Sequence, residues 1–171
     1  MRWLLALFCL SFLTVSQASF VTTVTPSNTP MIEKILVLKS AHQLQLIADG
    51  KPIKTYRISL GKGAKKGPKL IEGDKRTPEG FYWIDWRKVS EKFNLAMHIS
   101  YPNISDSARA RREGVEPGGM IMIHGTPDSE ETPEDLFHTL DWTDGCIAMR
   151  NMDMREVWGL VPDGTMIEIR P

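Results

Sequence analysis

From residue 31 onward, short apolar runs alternate with polar residues, the period of a strand rather than of a long helix. Residues 32–38 form one such run, and in 43–48 Leu44, Leu46 and Ala48 alternate with polar neighbours. Asp49-Gly50 supplies a hairpin turn into a third strand at 54–60, so a β-meander opens the fold. Residues 61–73 hold four glycines, one proline and Lys62, Lys65, Lys66 and Lys69, which read as a loop with solvated charge. Thr77-Pro78-Glu79-Gly80 turns into an aromatic strand at 81–85, and a further strand follows at 96–100. A short helix is predicted over 105–112, with Asp106 near its start, before Pro117-Gly118-Gly119 turns into a buried strand at 120–124. Residues 129–140 read as a partly helical lid. In 151–160 Met152, Val157 and Leu160 share one helix face, and Pro162-Asp163-Gly164-Thr165 turns into a last strand at 166–169. The chain is therefore expected to be mainly β with a few short helices, without the strand-helix-strand rhythm of a parallel sheet.

The first 30 residues break this pattern. Arg2 is followed by an apolar stretch over 3–15 and by Ser16-Gln17-Ala18, which reads as a signal peptide over 1–18 cleaved after Ala18. The apolar run is shorter than the roughly 20 residues that span a bilayer. Residues 19–30, rich in Thr, Ser and Pro, form a spacer, and one domain is expected over 31–171.

Charge and cysteine usage narrow the function. The 171 residues carry 21 basic and 21 acidic groups, so no overall field draws in nucleic acid or an anionic membrane. Of the two cysteines, Cys9 leaves with the signal peptide, and Cys146 remains alone in an oxidising compartment. A lone thiol there has no disulfide partner, and its neighbours decide whether it is a buried small residue or a working group.

Two segments carry candidate chemistry. In Ile121-Met122-Ile123-His124-Gly125-Thr126 a histidine ends an apolar strand. In Thr143-Asp144-Gly145-Cys146 a thiol follows a glycine in a tight turn, which the sequence places at the start of a helix whose N-terminus favours the thiolate. An imidazole that accepts the thiol proton makes this an acyl-transfer pair. Backbone N–H groups of Asp144, Gly145 and Cys146 are the candidate oxyanion donors. Zinc held by His124, His138 and Cys146 has the right ligand types but lacks a close ligand pair. His42 and His98 read as structural or surface residues, and Trp83, Trp86, Trp142 and Trp158 as core and rim packing, with Trp142 able to line the cleft.

These segments resemble the signature of the L,D-transpeptidase catalytic domain (YkuD-like), in which a His, a spacer, a Ser or Thr and His-Gly-Cys are followed by an Asn. Here eighteen residues separate His124 from Thr143, and Asn151 lies five beyond Cys146. Leu60-Gly61, Gly73-Asp74, Thr77-Pro78-Glu79-Gly80-Phe81-Tyr82, Ser100-Tyr101-Pro102-Asn103 and Pro117-Gly118-Gly119 extend the likeness over residues 32–171. The resemblance implies an L,D-transpeptidase-type β-sandwich or barrel. It also implies a Cys146 nucleophile, a His124 base oriented by the Gly125 carbonyl, and Thr143, Arg150 and Asn151 at the substrate. The expected reaction is thioester formation with a peptidoglycan tetrapeptide stem, followed by transfer to an amine of another stem or of a wall-attached protein. No metal, organic cofactor or nucleic acid is expected, and the chain is expected to act as a monomer. Asp144 replaces the family's second histidine, and Ala148 stands where an Arg commonly follows Cys-Ile. The departures leave open a hydrolase, an L,D-carboxypeptidase or an amidase, and beside these a noncatalytic wall-binding module.

Overall fold

The computed structural model describes residues 30–127, 133–137 and 139–171. The signal peptide, most of the spacer, His138 and residues 129–132 of the expected lid lie outside them. Among the described residues eight strands and three short α-helices follow in the order β1 (Lys34–Leu38), β2 (Gln43–Ala48), β3 (Lys51–Arg57), β4 (Gly80–Ser90), β5 (Asn94–Ile99), α1 (Ile104–Glu113), β6 (Met122–His124), α2 (Glu134–Phe137), β7 (Ile147–Ala148), α3 (Asn151–Leu160) and β8 (Met166–Arg170). The mainly β expectation holds.

The strands pair in the order β3-β2-β1-β8-β4-β5-β6-β7. Most neighbours run antiparallel, whereas β1 with β8 and β6 with β7 are parallel. A bulge between Ile84 and Trp86 bends β4, whose first half pairs with β8 and whose second half pairs with β5. The sheet curls until its two ends meet: just after β3, Ser59 exchanges both backbone hydrogen bonds with Ala148 of β7 at 2.8 and 2.9 Å. Closure of this kind covers the edge beyond residue 58 and, among the described residues, leaves only β3 itself as an open edge.

Local chemistry explains where the elements begin. Asp49 and Gly50 both adopt positive φ, the two-residue hairpin geometry whose twist matches the strands, so β3 starts at once at Lys51 rather than at residue 54. Pro52 is tolerated because β3 ends the strand order. Around α1, Asn103 and Asp106 form a reciprocal capping box, and Gly114 in the left-handed region closes the helix. The inner face of the curled sheet carries Ile35, Leu44, Ile84, Met97, Ile99, Ile123 and Ile147, all fully buried, and α3 adds Met154 and Val157. Each such side chain contributes on the order of 2 kcal/mol of apolar transfer.

The sequence reading is corrected at Cys146. No helix begins there. Ile147 and Ala148 form β7, and α3 starts at Asn151 after an extended Arg150. The reason is pairing: Ile123 and His124 offer a parallel ladder to Ile147 and Ala148, and this tertiary partner outweighs local helix signals.

Candidate active site

The parallel register of β6 and β7 sets His124 opposite Ala148, two residues beyond Cys146. Ile123 and Ile147 point into the core, so His124 and Cys146 belong to the opposite, outer face of the sheet. The twenty-two residues from His124 to Cys146 could reach about 75 Å if extended, yet the parallel register makes the two diagonal neighbours.

His124 is buried. Its Nδ1 lies 2.6 Å from the carbonyl oxygen of Gly125, a geometry that places the ring proton on Nδ1 and leaves Nε2 as the lone-pair nitrogen. Burial pushes the imidazole below its ordinary pKa, with Lys92 adding repulsion and the Gly125 carbonyl opposing both. The ring packs 4.3 Å from Phe93 and edge-on to Trp142 at 5.7 Å, and Phe137 of α2 covers Trp142. Trp142 therefore lines the site, as the sequence suggested.

Cys146 is half-buried, and its Sγ donates weakly to the carbonyl of Met120 at 3.6 Å. Burial pushes the thiol pKa up, Asp144 raises it further, and the Met122 N–H and Lys69 oppose them only in part. With no helix N-terminus at the sulfur, and with burial acting against the charged form of both groups, the surroundings favour thiol and imidazole over a preformed thiolate. Such a pair can transfer its proton as the sulfur attacks.

The turn before the sulfur is held from inside. Thr143, buried, donates from Oγ1 to the carbonyl of Cys146 at 2.7 Å and accepts the Gly145 N–H at 3.2 Å. This commits the Gly145 N–H, so the oxyanion donors expected from the sequence reduce to those of Asp144 and Cys146. It also gives Thr143 a positioning place rather than a free hydroxyl for substrate. Gly145 has φ near +130°, and Gly61 sits back to back with it, where a Cβ on Gly61 would meet the Gly145 Cα at 2.9 Å. The glycine- and lysine-rich loop is thereby packed on the thiol turn, with Lys62 N–H donating to the Thr143 carbonyl at 2.9 Å.

Asn151 likewise faces the protein. Its Oδ1 accepts from the Thr126 N–H at 3.0 Å and its Nδ2 donates to the Thr126 carbonyl at 3.3 Å, which straps α3 to the segment carrying His124 and Gly125. A Cβ on Gly125 would lie 2.1 Å from Asn151 Oδ1. Glu134, missed from the sequence, accepts from Thr126 Oγ1 at 3.0 Å and from the Asn151 N–H, tying α2 to the same strap. No spacing signal marks it. Arg150 is half-exposed and pairs with Asp135 at 3.0 Å. Asp144 is exposed and aims sideways, between Lys62 at 3.6 Å and Lys75 at 3.9 Å.

His42 and His98 pair with Asp141 and Asp85, respectively, as structural readings predicted. An apolar recess of about 230 Å³, formed by Leu136, Phe137, Leu140 and Trp142, adjoins the His124 ring stack. A larger one, about 330 Å³, lies behind Leu60 and Asp141 and is lined by neither His124 nor Cys146.

Fold and site together define a class: a curled, mainly β domain with an imidazole at the end of one parallel strand and a thiol just ahead of its neighbour. The model of the L,D-transpeptidase catalytic domain, YkuD, matches residues 33–169, and the chain belongs to that family. It is 31% identical over 128 residues to YafK of Escherichia coli K12, a candidate L,D-transpeptidase by name. The match covers 74% of this chain and 42% of YafK, so the chain spans under half the length of that relative. Among solved structures, the helical cell shape determining protein Pgp2 of Campylobacter jejuni superposes with TM-score 0.61 at 24% identity, over 85% of this chain and 52% of Pgp2. Bd1075 of Bdellovibrio bacteriovorus gives 0.60 at 24%, over 85% and 50%, and an L,D-transpeptidase of Enterococcus faecium gives 0.54 at 20%, over 82% and 50%. At these identities the structures bear on the fold alone.

Proposed function

We propose that the protein is an exported, cysteine-dependent L,D-transpeptidase acting on peptidoglycan stem peptides. The observation that carries this is the register that sets His124 diagonally across from Cys146 on one face, with its Nδ1 bonded to the Gly125 carbonyl and Nε2 left to take a proton. Membership of the L,D-transpeptidase family supports the reaction type.

The Cys146 thiol turns from the Met120 carbonyl toward His124 and gives its proton to Nε2 as Sγ attacks the carbonyl carbon of the third stem residue. The oxyanion is received by the Asp144 and Cys146 N–H groups, each worth about 3 kcal/mol in the transition state. The bond to the terminal D-alanine breaks, His124 returns the proton to the departing amine, and a thioester remains. An amine of another stem, or a lysine of a wall-attached protein, then attacks the thioester; His124 takes the amine proton and the Cys146 thiol is restored. Export rests on residues 1–18 read as a signal peptide, which leaves Cys146 as the single thiol of the mature chain.

The test is incubation of the mature protein with a defined tetrapeptide muropeptide, with and without an acceptor amine, followed by mass. Loss of D-alanine with a cross-linked product supports a transpeptidase, and product formed by water alone assigns a hydrolase. Full activity in Cys146→Ala would sink the mechanism, and absence of any acyl adduct on Cys146 would leave a noncatalytic wall-binding module.

A further inference from the structure

The outer face of the sheet, on which Cys146 and His124 open, continues across β6, β5 and β4. Register places Met122 opposite His98, and His98 opposite Trp86, so these side chains share that face. The bulge in β4 then keeps Trp83 and Phe81 on the same side, while Tyr82 and Ile84 turn into the core. Phe81 and Trp83 are 59% and 53% exposed, and Trp86 stacks on the His98 ring at 4.6 Å and 10°. Asp85 anchors that histidine by a 2.7 Å hydrogen bond to Nδ1.

Single exposed apolar residues are ordinary, but three aromatic rings in line on one strand mark a surface with a partner. Trp83 and Trp86 were expected in core or rim packing; both stand at the rim, Trp83 half exposed. β8 pairs with the first half of β4, and the Trp83 N–H and carbonyl both bond Ser100, so at Phe81 and Trp83 it is the side chains that this strand presents. Phe81 and Trp83 stand about 7 Å apart along the strand, and Trp86 lies two strands, about 10 Å, from Met122 beside the sulfur.

We propose that this track, Phe81–Trp83–Trp86, binds the glycan strand of the polymer whose stem peptide enters the Cys146 site. The proposal rests on the function given above for the choice of polymer. A pyranose ring presents an apolar C–H face that stacks on an aromatic ring, and a rim of hydroxyls that suits the half-exposed Asp85 carboxylate and the Ser100 hydroxyl beside Trp83. Continuity with the thiol site fits a linear polymer lying across the sheet with its stem reaching the sulfur.

The experiment measures binding to intact peptidoglycan sacculi and to glycan strands stripped of stem peptides, alongside turnover of a soluble tetrapeptide. The Phe81→Ala/Trp83→Ala double variant is expected to lose about tenfold or more in affinity for stripped glycan. Its tetrapeptide turnover and thermal midpoint stay near wild type, Trp83→Tyr keeps the binding, and Cys146→Ala binds sacculi normally. Unchanged glycan affinity in the double variant, or an equal loss of tetrapeptide turnover, overturns the proposal. A wild-type dimer that becomes monomeric in the double variant also overturns it, assigning the face to a second copy. Stripped-glycan binding that needs both rings in a protein without turnover upholds this inference while the enzyme reading fails.

Discussion

At the residue scale, the acid-base state of the site follows from burial more than from neighbours in sequence. Enclosure of the His124 ring by Phe93 and Trp142 pushes its pKa down, and partial enclosure of the Cys146 sulfur, with Asp144 near, pushes the thiol up. The pH-rate profile of kcat/KM should therefore keep its plateau below pH ~6.5, the ordinary histidine value, before the acid limb sets in. The sign for stability agrees: a folded-state pKa depressed below the unfolded one means stability present above about 6.5 and lost as pH falls through the folded value. Replacing Asp144 by Asn removes one of the influences that raise the thiol pKa, so the pH midpoint of Cys146 alkylation should move down. An unchanged midpoint would show that Lys62 and Lys75 already cancel the Asp144 charge.

At the element scale, two straps hold the site, and each can be cut separately. Thr143 closes the turn that presents the sulfur, so Thr143→Val should lower kcat at least tenfold, with about 1–3 kcal/mol lost from the two hydrogen bonds of the buried hydroxyl. Asn151 and Glu134 hold the Thr126 segment that follows His124. In Asn151→Ala the His124 ring loses its fixed backing, and kcat should fall more than KM rises; the KM-against-kcat split checks this. The family spacing makes Thr143 and Asn151 visible in the sequence, but only the fold shows that both face inward. Glu134 is invisible there, because its partners are brought to it by three different segments.

At the scale of the whole molecule, the lysine-rich loop keeps Lys62, Lys65 and Lys66 exposed, as the sequence implies, but Lys69 is buried and anchors the loop as a wall of the structure. Lys69 and Asp74 form a buried ion pair at 3.0 Å, and burial, which alone would raise the Asp74 carboxyl, is outweighed by N–H donors from Leu70, Arg76 and Ile71 and by Lys69. Asp74→Asn leaves a buried ammonium without its counter-charge and should cost about 3–5 kcal/mol, roughly 6–20 °C in thermal midpoint for a domain of this size. A calorimetric scan at neutral pH measures it. The loop packs on the thiol turn through Gly61 and Gly145, so the same variant should also slow acyl-enzyme formation.

The period-two strands, the hairpin at Asp49-Gly50, the helix at 151–160 and the candidate pair Cys146 and His124 are legible in the sequence, because each is written in local turn chemistry or in fixed spacing. The tertiary structure alone decided that Cys146 enters a strand and not a helix, that the sheet closes on itself at Ser59 and Ala148, and that Thr143 and Asn151 serve the backbone. It also put Phe81, Trp83 and Trp86 on the face that carries the sulfur. The physical reason is common to all four: each depends on which segment supplies the partner for a backbone or side-chain group, and those partners lie tens of residues away in the chain.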